Sequence, residues 1–255
     1  MAERLVTVIM PARNAALTIG KSIQSVRDQS FTDWQLIVVD DASEDRTYDI
    51  IKWFAAQDPR IRLLRLPAQQ GVAHARNRGL DLARSRFVAF LDSDDTWEPE
   101  KLQKQLAFMY ESGTPITYSA YRRVDAEGNT LGIVTPPTKV TWKMMLKANH
   151  IGNLTAMYDR TLLPQLRFKP VGNEDYIFWI QALEELGRPA LATPSDKPLA
   201  RYRVSDNSLS GNKLRSARWQ WQNYRKSLGF SILRSSYYLT TYAIHGLLKR
   251  RPGKG

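Results

Sequence analysis

The sequence predicts an α/β fold in which a mostly parallel sheet is flanked by helices. Short apolar runs rich in Val and Ile recur along the first 91 residues, as expected for strands that are buried on both faces. Helical patterns of about ten to fifteen residues separate these runs, and such alternation is typical of βαβ units. The chain has 255 residues, 43% of them hydrophobic, which suffices for one sizeable core.

The elements can be assigned in order from the spacing of apolar residues. The first half is predicted to contain strands at 5–10, 34–39, 61–66 and 87–91, with helices at 16–26, 47–56 and 72–82. After residue 97 the pattern changes, and we predict a helix over 98–112, a strand over 116–124, a short helix over 142–148, a strand over 153–158 and a helix capped by Asn173.

Two of the predicted strands end in carboxylates. Asp40 and Asp41 follow the second run, and Asp92, Asp94 and Asp95 follow the fourth, with Ser93 between them. Because the carboxyl ends of parallel strands meet at one rim of the sheet, these acids are expected to lie near each other. Clustered carboxylates favour a Mg²⁺ or Mn²⁺ site that also holds a diphosphate. The alternative is a solvated acidic turn that caps the next helix.

A second acidic pair, Glu174 and Asp175, opens the helix after Asn173. Acids in a first helical turn are stabilised by the helix dipole, which is one interpretation of the pair. The other is a carboxylate held at the wall of a cleft, where it accepts a proton from a substrate.

Positive charge is concentrated at the C-terminal end. Residues 201–255 contain 12 Lys and Arg and a single acid, Asp206, whereas residues 1–200 are nearly neutral. This asymmetry predicts an anionic partner for the tail, either a membrane surface or nucleic acid. The chain contains no Cys, shows no secretory signal and has no run of about 20 apolar residues, so a cytoplasmic location is expected.

The tail is predicted to form two amphipathic helical segments. Apolar residues recur at 214, 217, 221, 224 and 228, and a second segment extends from 230 to 248. Its uncharged core at 235–248 is rich in Tyr and is bounded by Arg234 and by Lys249. Such helices suit the interface of a membrane, here through residues 213–254, and they equally suit packing against the rest of the protein. We therefore divide the chain into a catalytic and nucleotide-sugar-binding domain at 1–205 and a basic, aromatic-rich extension at 206–255.

With these residues in view, the sequence resembles the family 2 glycosyltransferases over roughly residues 4–205. The resemblance rests on segments that occur in the order of the family: 8–11 (VIMP), 38–43 (VVDDAS), 71–79 (GVAHARNRG) and 90–95 (FLDSDD). Residues 202–210 and the helices rich in Trp and Tyr look most like the cell-surface polysaccharide transferases of the teichuronic-acid type. The resemblance implies a GT-A fold, an inverting transfer from a UDP-sugar and a divalent metal, Mn²⁺ or Mg²⁺.

Carried over residue by residue, the resemblance implies specific roles. The residues expected along the nucleotide are Pro11, Ala12, Arg13, Asn14, Asp40, Asp41, Arg76, Asn77, Asp92 and Ser93. Asp94 is expected to bind the metal with Asp92 and Asp95, and Asp175 is expected to be the base, with Glu174 beside it. Many members have a His where this chain has Ser205, so the resemblance predicts that water completes the coordination here.

The expected enzyme transfers a sugar to an acceptor hydroxyl, with a lipid-linked saccharide of cell-surface polysaccharide synthesis as the acceptor. It would work as a peripheral protein on the inner face of the plasma membrane, without a nucleic-acid partner. The non-enzymatic alternative is a basic module that binds membrane or nucleic acid through its tail. A glycosidase would also use two carboxylates but would leave the metal-like cluster unexplained. A nucleotidyltransferase lacks support because no Gly-rich phosphate loop follows the first strand.

Overall fold

The computed structural model of the chain describes residues 4–204 and 213–248, without the side chains of 213–215 and 245–248. The described residues form twelve strands: β1 (Val6–Ala12), β2 (Trp34–Asp40), β3 (Ile61–Arg65), β4 (Phe87–Phe90), β5 (Thr96–Trp97), β6 (Ile116–Tyr118), β7 (Tyr121–Val124), β8 (Thr130–Val134), β9 (Lys139–Val140), β10 (Met157–Asp159), β11 (Ala190–Ala192) and β12 (Ala200–Arg203). The α-helices are α1 (Ile19–Arg27), α2 (Thr47–Gln57), α3 (Val72–Leu82), α4 (Lys101–Ser112), α5 (Trp142–Met145), α6 (Glu174–Leu186), α7 (Lys213–Gln222) and α8 (Ile232–Leu248).

The main sheet has eight strands in the order β3-β2-β1-β4-β10-β6-β11-β9. Strands β3, β2, β1 and β4 are parallel, and β10 runs antiparallel to both of its neighbours. All seven residues of β1 are buried, because helices cover both faces of the sheet at its centre. The predicted α/β fold with a mostly parallel sheet is confirmed.

Helix α3 packs closely on β1 because Gly79 has no side chain. A Cβ atom added at Gly79 would overlap the side chain of Ile9 on β1. A crossover helix starts near the carboxyl ends of the strands that it connects, so the first turns of α3 lie at the rim of the sheet. The close contact at Gly79 therefore helps to fix Arg76, one turn earlier, at this rim.

A second sheet of four strands, in the order β5-β12-β7-β8, was not predicted from the sequence. Two differences from the predicted elements result from it. The strand predicted at 116–124 is in fact two strands, because the chain leaves the main sheet at Tyr118 and enters the small sheet at Tyr121. The helix predicted from 98 begins only at Lys101, because Thr96 and Trp97 pair with β12.

Other elements were also predicted to be longer than they are in the structure. The helix predicted at 142–148 ends at Met145. The strand predicted at 153–158 begins as a turn of 3₁₀ helix, Asn153–Thr155, and only Met157–Asp159 joins the sheet. Asn173 precedes α6 in the left-handed conformation, with φ of 57°, and its side chain makes no capping hydrogen bond.

The C-terminal extension, residues 213–248 as described, comprises α7, a π-helical turn at Asn223–Ser227 and α8. Tyr224 and Phe230 are buried and belong to the same apolar cluster as the residues of α6. The extension thus packs on the rest of the protein through its aromatic side chains, which was one of the two predicted arrangements. Among the described residues, no helix is both long enough and apolar enough to cross a membrane. The predicted boundary at residue 205 falls at the gap between the described ranges and stays a prediction.

Candidate active site

The carboxylates at the end of β2 are held by hydrogen bonds and an ion pair within the protein. Asp41 accepts hydrogen bonds from the backbone N–H groups of Gln70 and Gly71, at 2.7 and 2.8 Å. Asp40 is fully buried, lies 3.3 Å from Nε of Arg65 and accepts a hydrogen bond from the backbone of Ser43. These contacts join the loop after β2 to the loop before α3.

The residues after β1 are tied to the same loop. Pro11 and Ala12 form the buried end of β1. Arg13 donates hydrogen bonds to the carbonyl oxygens of Asp41 and Ala42, at 2.8 and 2.9 Å. Asn14 adopts a positive φ of 47° and exchanges hydrogen bonds with the segment 43–44. The structure therefore brings Pro11, Ala12, Arg13 and Asn14 together with Asp40 and Asp41 at one rim of the sheet.

Arg76 connects the end of β4 to the start of α6. Its guanidinium lies 2.6 Å from Asp92 and 2.5 Å from Glu174, and its side chain is 4% exposed. Although burial opposes the charge, the nearby carboxylates raise the pKa of Arg76 above its ordinary value, so it stays protonated. A buried guanidinium between two acids fixes their separation, because moving either acid would leave a buried charge without a partner.

The three acids after β4 differ in their surroundings. Asp92 pairs with Arg76 and is one-third exposed. Asp95 is buried and accepts a hydrogen bond from the backbone N–H of Arg203, at 2.8 Å. Asp94 is exposed at the surface of the same turn, and Ser93 separates it from Asp92.

The charges of these acids act on one another. Although Asp94 lies at the surface, the protein atoms around it displace part of its hydration, and this desolvation together with the charge of Asp92 raises its pKa. Burial, together with Asp94 and Asp92, raises the pKa of Asp95 well above the usual range of an aspartic acid. The cluster therefore carries negative charge that the surrounding protein compensates only in part, in contrast to a turn whose acids are simply solvated.

Asp175 lies in the first turn of α6, next to Glu174. Burial is the main cause that raises the pKa of Asp175 to about 7, and the charge of Glu174 adds to it. A carboxyl group with such a pKa is ionised in a large fraction of molecules near neutral pH and still accepts a proton readily. Asp175 thus has the properties expected of a general base.

The side chain of Asn77 has a different setting from the other predicted nucleotide contacts. Its amide donates to the carbonyl oxygen of Phe168 and accepts from the N–H of Phe168, both at 2.8 Å. Asn77 therefore anchors the segment that leads to α6, and its predicted place along the nucleotide stays a prediction.

Two cavities meet at Asn173 and Asp175. One, of about 640 Å³, extends from the start of α3 to the extension, where Trp219, Gln222 and Lys226 line it. The other, of about 570 Å³, is lined by Asp92 and Asp95 and by residues of the small sheet and the extension. Asp175 therefore lines both cavities.

Several residues that line the second cavity were not predicted from the sequence to be site residues. They are Tyr121, Arg123, Asn153, Ser216, Tyr202 and Tyr242. Tyr121 and Tyr202 come from neighbouring strands of the small sheet, and burial together with the nearby acids raises the pKa of Tyr202 to about 12. Their order in the sequence gives no sign of this convergence, because it depends on the chain passing from one sheet to the other.

Within the described residues, no three His, Asp or Glu side chains converge in the arrangement of a closed metal site. Such a cage is not required for Mg²⁺, which is commonly held by one or two carboxylates and the phosphates of a substrate. The partly uncompensated charge of Asp92, Asp94 and Asp95 fits a divalent cation of this kind. The Ser205 position, where the family often has His, lies outside the described residues.

The mostly parallel sheet, the carboxylates at its rim and the buried Asp175 beside them fit a nucleotide-sugar-dependent transferase of GT-A fold. A family model described as glycosyl transferase family 2 matches residues 7–163. The chain belongs to this family and is a hexosyltransferase-type enzyme. This result confirms the resemblance noted in the sequence and rules out the non-enzymatic alternative.

Glycosyltransferases named for cell-surface polysaccharide synthesis match almost the whole chain. It is 36% identical over 249 residues to the UDP-Glc:α-D-GlcNAc-diphosphoundecaprenol β-1,3-glucosyltransferase WfgD of Escherichia coli, covering 98% of this chain and 96% of WfgD. It is also 36% identical over 248 residues to TuaG of Bacillus subtilis, a glycosyltransferase assigned to teichuronic acid biosynthesis, with 96% and 97% covered.

Solved structures confirm the GT-A fold. TarS of S. aureus in complex with UDP-GlcNAc superimposes with a TM-score of 0.71 at 21% identity, covering 93% of this chain and 71% of that one. The mannosyltransferase PcManGT of Pyrobaculum calidifontis, in complex with GDP-Man and Mn²⁺, gives 0.68 at 20% identity, with 99% and 77% covered.

Proposed function

We propose that this enzyme transfers a hexose from a UDP-sugar, with inversion, to a hydroxyl group of a lipid-linked saccharide in cell-surface polysaccharide synthesis. The observation that carries the proposal is the buried Arg76, which joins Asp92 at the end of β4 to Glu174 at the start of α6. It fixes the acidic end of the strand relative to Asp175. The acceptor class is supported by WfgD, whose name gives a saccharide on diphosphoundecaprenol as the acceptor.

In the proposed reaction Asp175 takes the proton of the acceptor hydroxyl. The hydroxyl oxygen forms a bond to the anomeric carbon on one face of the sugar, while the bond from that carbon to the phosphate oxygen breaks on the other. The electron pair of the broken bond leaves with UDP. A single displacement inverts the anomeric carbon and needs no nucleophile from the protein.

The residues that would hold a divalent cation are Asp94 and Asp92, with Asp95 behind them. When bound, Mn²⁺ or Mg²⁺ would neutralise the charge that develops on the leaving diphosphate. The Mn²⁺ complex of PcManGT supports a divalent cation in this fold. The loops that carry Pro11 to Asn14 and Asp40 to Asp41 would then bind the nucleoside, with Asp41 toward the base and Arg76 near the diphosphate.

The decisive experiment compares Asp175→Asn with the wild type. The amide cannot accept the proton, so we expect kcat to fall by about 10³-fold, within the usual contribution of general base catalysis. Binding of UDP with Mn²⁺, measured by calorimetry, should stay within about twofold. Glu185→Gln, which changes an exposed acid on the same helix, is the matched control and should leave both quantities unchanged. Normal turnover by Asp175→Asn would remove Asp175 from the mechanism.

The free enzyme should also show a pH dependence set by this base. Because the pKa of Asp175 is about 7, kcat/KM should rise as the pH increases through 7 and the carboxylate loses its proton. A profile that is flat between pH 6 and 8 would contradict this assignment.

We further propose that α8 brings the enzyme to an anionic membrane surface. Its inward side chains pack on the protein, while Leu233, Tyr237 and Ile244 are 84%, 56% and 49% exposed. These three positions share one face of the helix, at spacings of four and seven residues. The positive charge of residues 201–255 complements anionic lipid, and each basic group near such a surface contributes about 1 kcal/mol.

Cosedimentation with vesicles tests this second proposal. Leu233→Glu combined with Tyr237→Glu should abolish binding to vesicles that contain anionic lipid, whereas Leu162→Glu, at an exposed apolar site elsewhere, should not. Binding of the wild type should weaken with salt and vanish on neutral vesicles. Equal binding by the double variant, or binding to RNA but not to vesicles, would refute the membrane interaction.

A further inference from the structure

The segment before the catalytic helix is held from outside the nucleotide-binding part of the fold. Residues 168–173 lead into α6 and have little regular structure of their own. At the start, Phe168 is bound by Asn77, as described above. At the end, Gly172 and Asn173 precede Glu174 and Asp175 directly. The position of this short segment therefore determines where the two acids lie.

The C-terminal extension contacts Gly172 on two sides. A Cβ atom added at Gly172 would overlap the Cγ, Cδ1 and Cδ2 atoms of Trp219, so the indole ring lies directly against this glycine. The side chain of Asn223, only 1% exposed, donates a hydrogen bond of 2.8 Å to the carbonyl oxygen of Gly172. Lys169 adds a third contact, a 3.1 Å hydrogen bond from Nζ to the carbonyl oxygen of Ser227.

The backbone of the extension is adapted to this contact. The helix widens to a π turn at Asn223–Ser227, in which the N–H of Leu228 bonds to the carbonyl oxygen of Asn223. The turn places Asn223 and Tyr224 side by side in the interior. Asn223 binds Gly172, and the hydroxyl of Tyr224 donates to Leu146 in the body of the protein, at 2.6 Å. π turns occur often at functional sites.

The segment also contains a conformation that needs support. Asn173 has φ of 57° and ψ of 53°, a left-handed conformation that costs free energy in residues other than glycine. Its side chain gives no capping hydrogen bond to α6 in return. Contacts with the surrounding protein must therefore hold Asn173 in this conformation. The contacts to the preceding residue, Gly172, come from Trp219 and Asn223.

We infer that Trp219 and Asn223 are positioning residues of the transferase: they hold Gly172, and through it the start of α6, so that Asp175 and Glu174 face the acceptor and Arg76. This inference rests on the proposed role of Asp175. The extension is then part of the catalytic machinery, in addition to any role at a membrane.

Asn223→Asp tests the inference with little change of volume. The carboxylate cannot donate to the carbonyl oxygen of Gly172, so the start of α6 should shift. A displacement of about 1 Å can cost about 100-fold in rate, and we expect kcat to fall by 10- to 100-fold. The dissociation constant of UDP with Mn²⁺ should change by less than about twofold.

Phe230→Leu is the matched control. Phe230 is also buried in the extension, but it packs on Tyr224 and Tyr238 and makes no described contact with Gly172. It should lower Tm by a few degrees and leave kcat and the pH profile unchanged. If Asn223→Asp loses stability and activity only as much as Phe230→Leu does, the contact is merely structural and the inference is wrong.

A double-mutant cycle keeps the inference testable if Asn223→Asp does not fold. Gly172→Ala should lower kcat because the new methyl group meets the indole ring, and Trp219→Ala should lower it because the glycine loses its support. The double variant should lose less than the product of the two effects, since the methyl group then has room. Independent effects would refute the contact.

The two assignments fail in different ways. If Asp175→Asn remains active, the proposed base is wrong, whatever the variants of the extension do. Asp175→Asn could instead be inactive while neither Asn223→Asp nor the double-mutant cycle shows a specific loss of kcat. Asp175 would then remain the proposed base, and the positioning role of Trp219 and Asn223 would be wrong.

Discussion

The two acid-ended strands of this enzyme look alike in the sequence but differ in the structure. After β2, Asp40 and Asp41 are bound by Arg65 and by three backbone N–H groups. After β4, Asp94 and Asp95 lie close to Asp92, and desolvation together with the negative charge of the neighbouring acids raises the pKa of both. The protein supplies one cation and three backbone donors to the first pair, although Oδ2 of Asp40 has no hydrogen-bond donor among the described residues. The charge of the second cluster is compensated only in part.

This difference separates two uses of a carboxylate at the rim of a sheet. Asp41 shapes a loop, because it joins the end of β2 to the residues that open α3. The cluster at Asp92 to Asp95 stores unfavourable electrostatic free energy, which a cation would relieve. Three predictions test whether the two groups of carboxylates differ in this way.

The largest effect is expected at Asp94. Asp94→Ala should weaken the binding of UDP in the presence of Mn²⁺ by about 100-fold, as for the loss of a group that supports a metal site. Without metal, the weak residual binding of UDP should be the same in variant and wild type. Calorimetry with and without Mn²⁺ measures both. The control is Glu127→Ala, which removes an exposed acid from a turn of the small sheet. If Asp94→Ala still binds UDP in a metal-dependent way, Asp94 is not a ligand of the metal.

A smaller effect, on the stability of the fold and independent of the metal, is expected at Asp41. In Asp41→Asn an amide NH₂ replaces one of the two accepting oxygens, and either Gln70 or Gly71 keeps a donor without an acceptor. The free energy of unfolding should fall by about 1–3 kcal/mol in urea, whether or not Mn²⁺ is present. Asp33→Asn is the control, since Asp33 also accepts from a backbone N–H but is half exposed, and it should cost less. A loss that depends on the metal would show that Asp41 belongs with the second cluster.

The smallest effect is expected at Asp95, on the pH dependence of the stability of the fold. Because its pKa is raised on folding, the folded protein binds more protons than the unfolded one between the ordinary and the raised pKa, so this group destabilises the fold as the pH rises through that window. Asp95→Asn keeps an oxygen for the N–H of Arg203 but carries no charge. Relative to the wild type without metal, it should gain stability as the pH rises above the ordinary pKa of an aspartic acid, by about 1.4 kcal/mol for each unit of pKa shift. Thermal unfolding in EDTA measures the difference, and a constant difference would contradict it.

The first half of the fold could be predicted because local sequence determines it. The strands β1, β2 and β4 are almost entirely buried, so their apolar runs are nearly continuous, and the helices between the strands keep a regular spacing. Strand β3 lies at the edge of the sheet and is only partly buried. The small sheet could not be predicted, because Ser119 and Ala120 carry no signal that the chain changes sheets between Tyr118 and Tyr121. Its strands are also short and mixed in polarity, so partners distant in sequence decide the pairing.

The candidate site shows the same division. Asp92 and Asp175 were found because motifs of the family mark them in the sequence. The exchange of hydrogen bonds between Asn77 and Phe168, 91 residues apart, was not foreseen, and neither was the contact of Trp219 with Gly172. A motif reports which residue types occur together along the chain. It does not report which backbone atom a buried side chain will meet.

The position of Trp219 gives the enzyme a built-in optical probe. Its indole ring rests on the residue before the catalytic turn and also forms part of the wall of the larger cavity. Indole emission responds to the polarity around the ring, so an occupant of that cavity should alter the fluorescence of this tryptophan without any attached dye. Replacing Trp53, whose side chain is 58% exposed on α2, would lower the background from solvent-exposed indole. Acceptors could then be screened by titration, before any product is assayed.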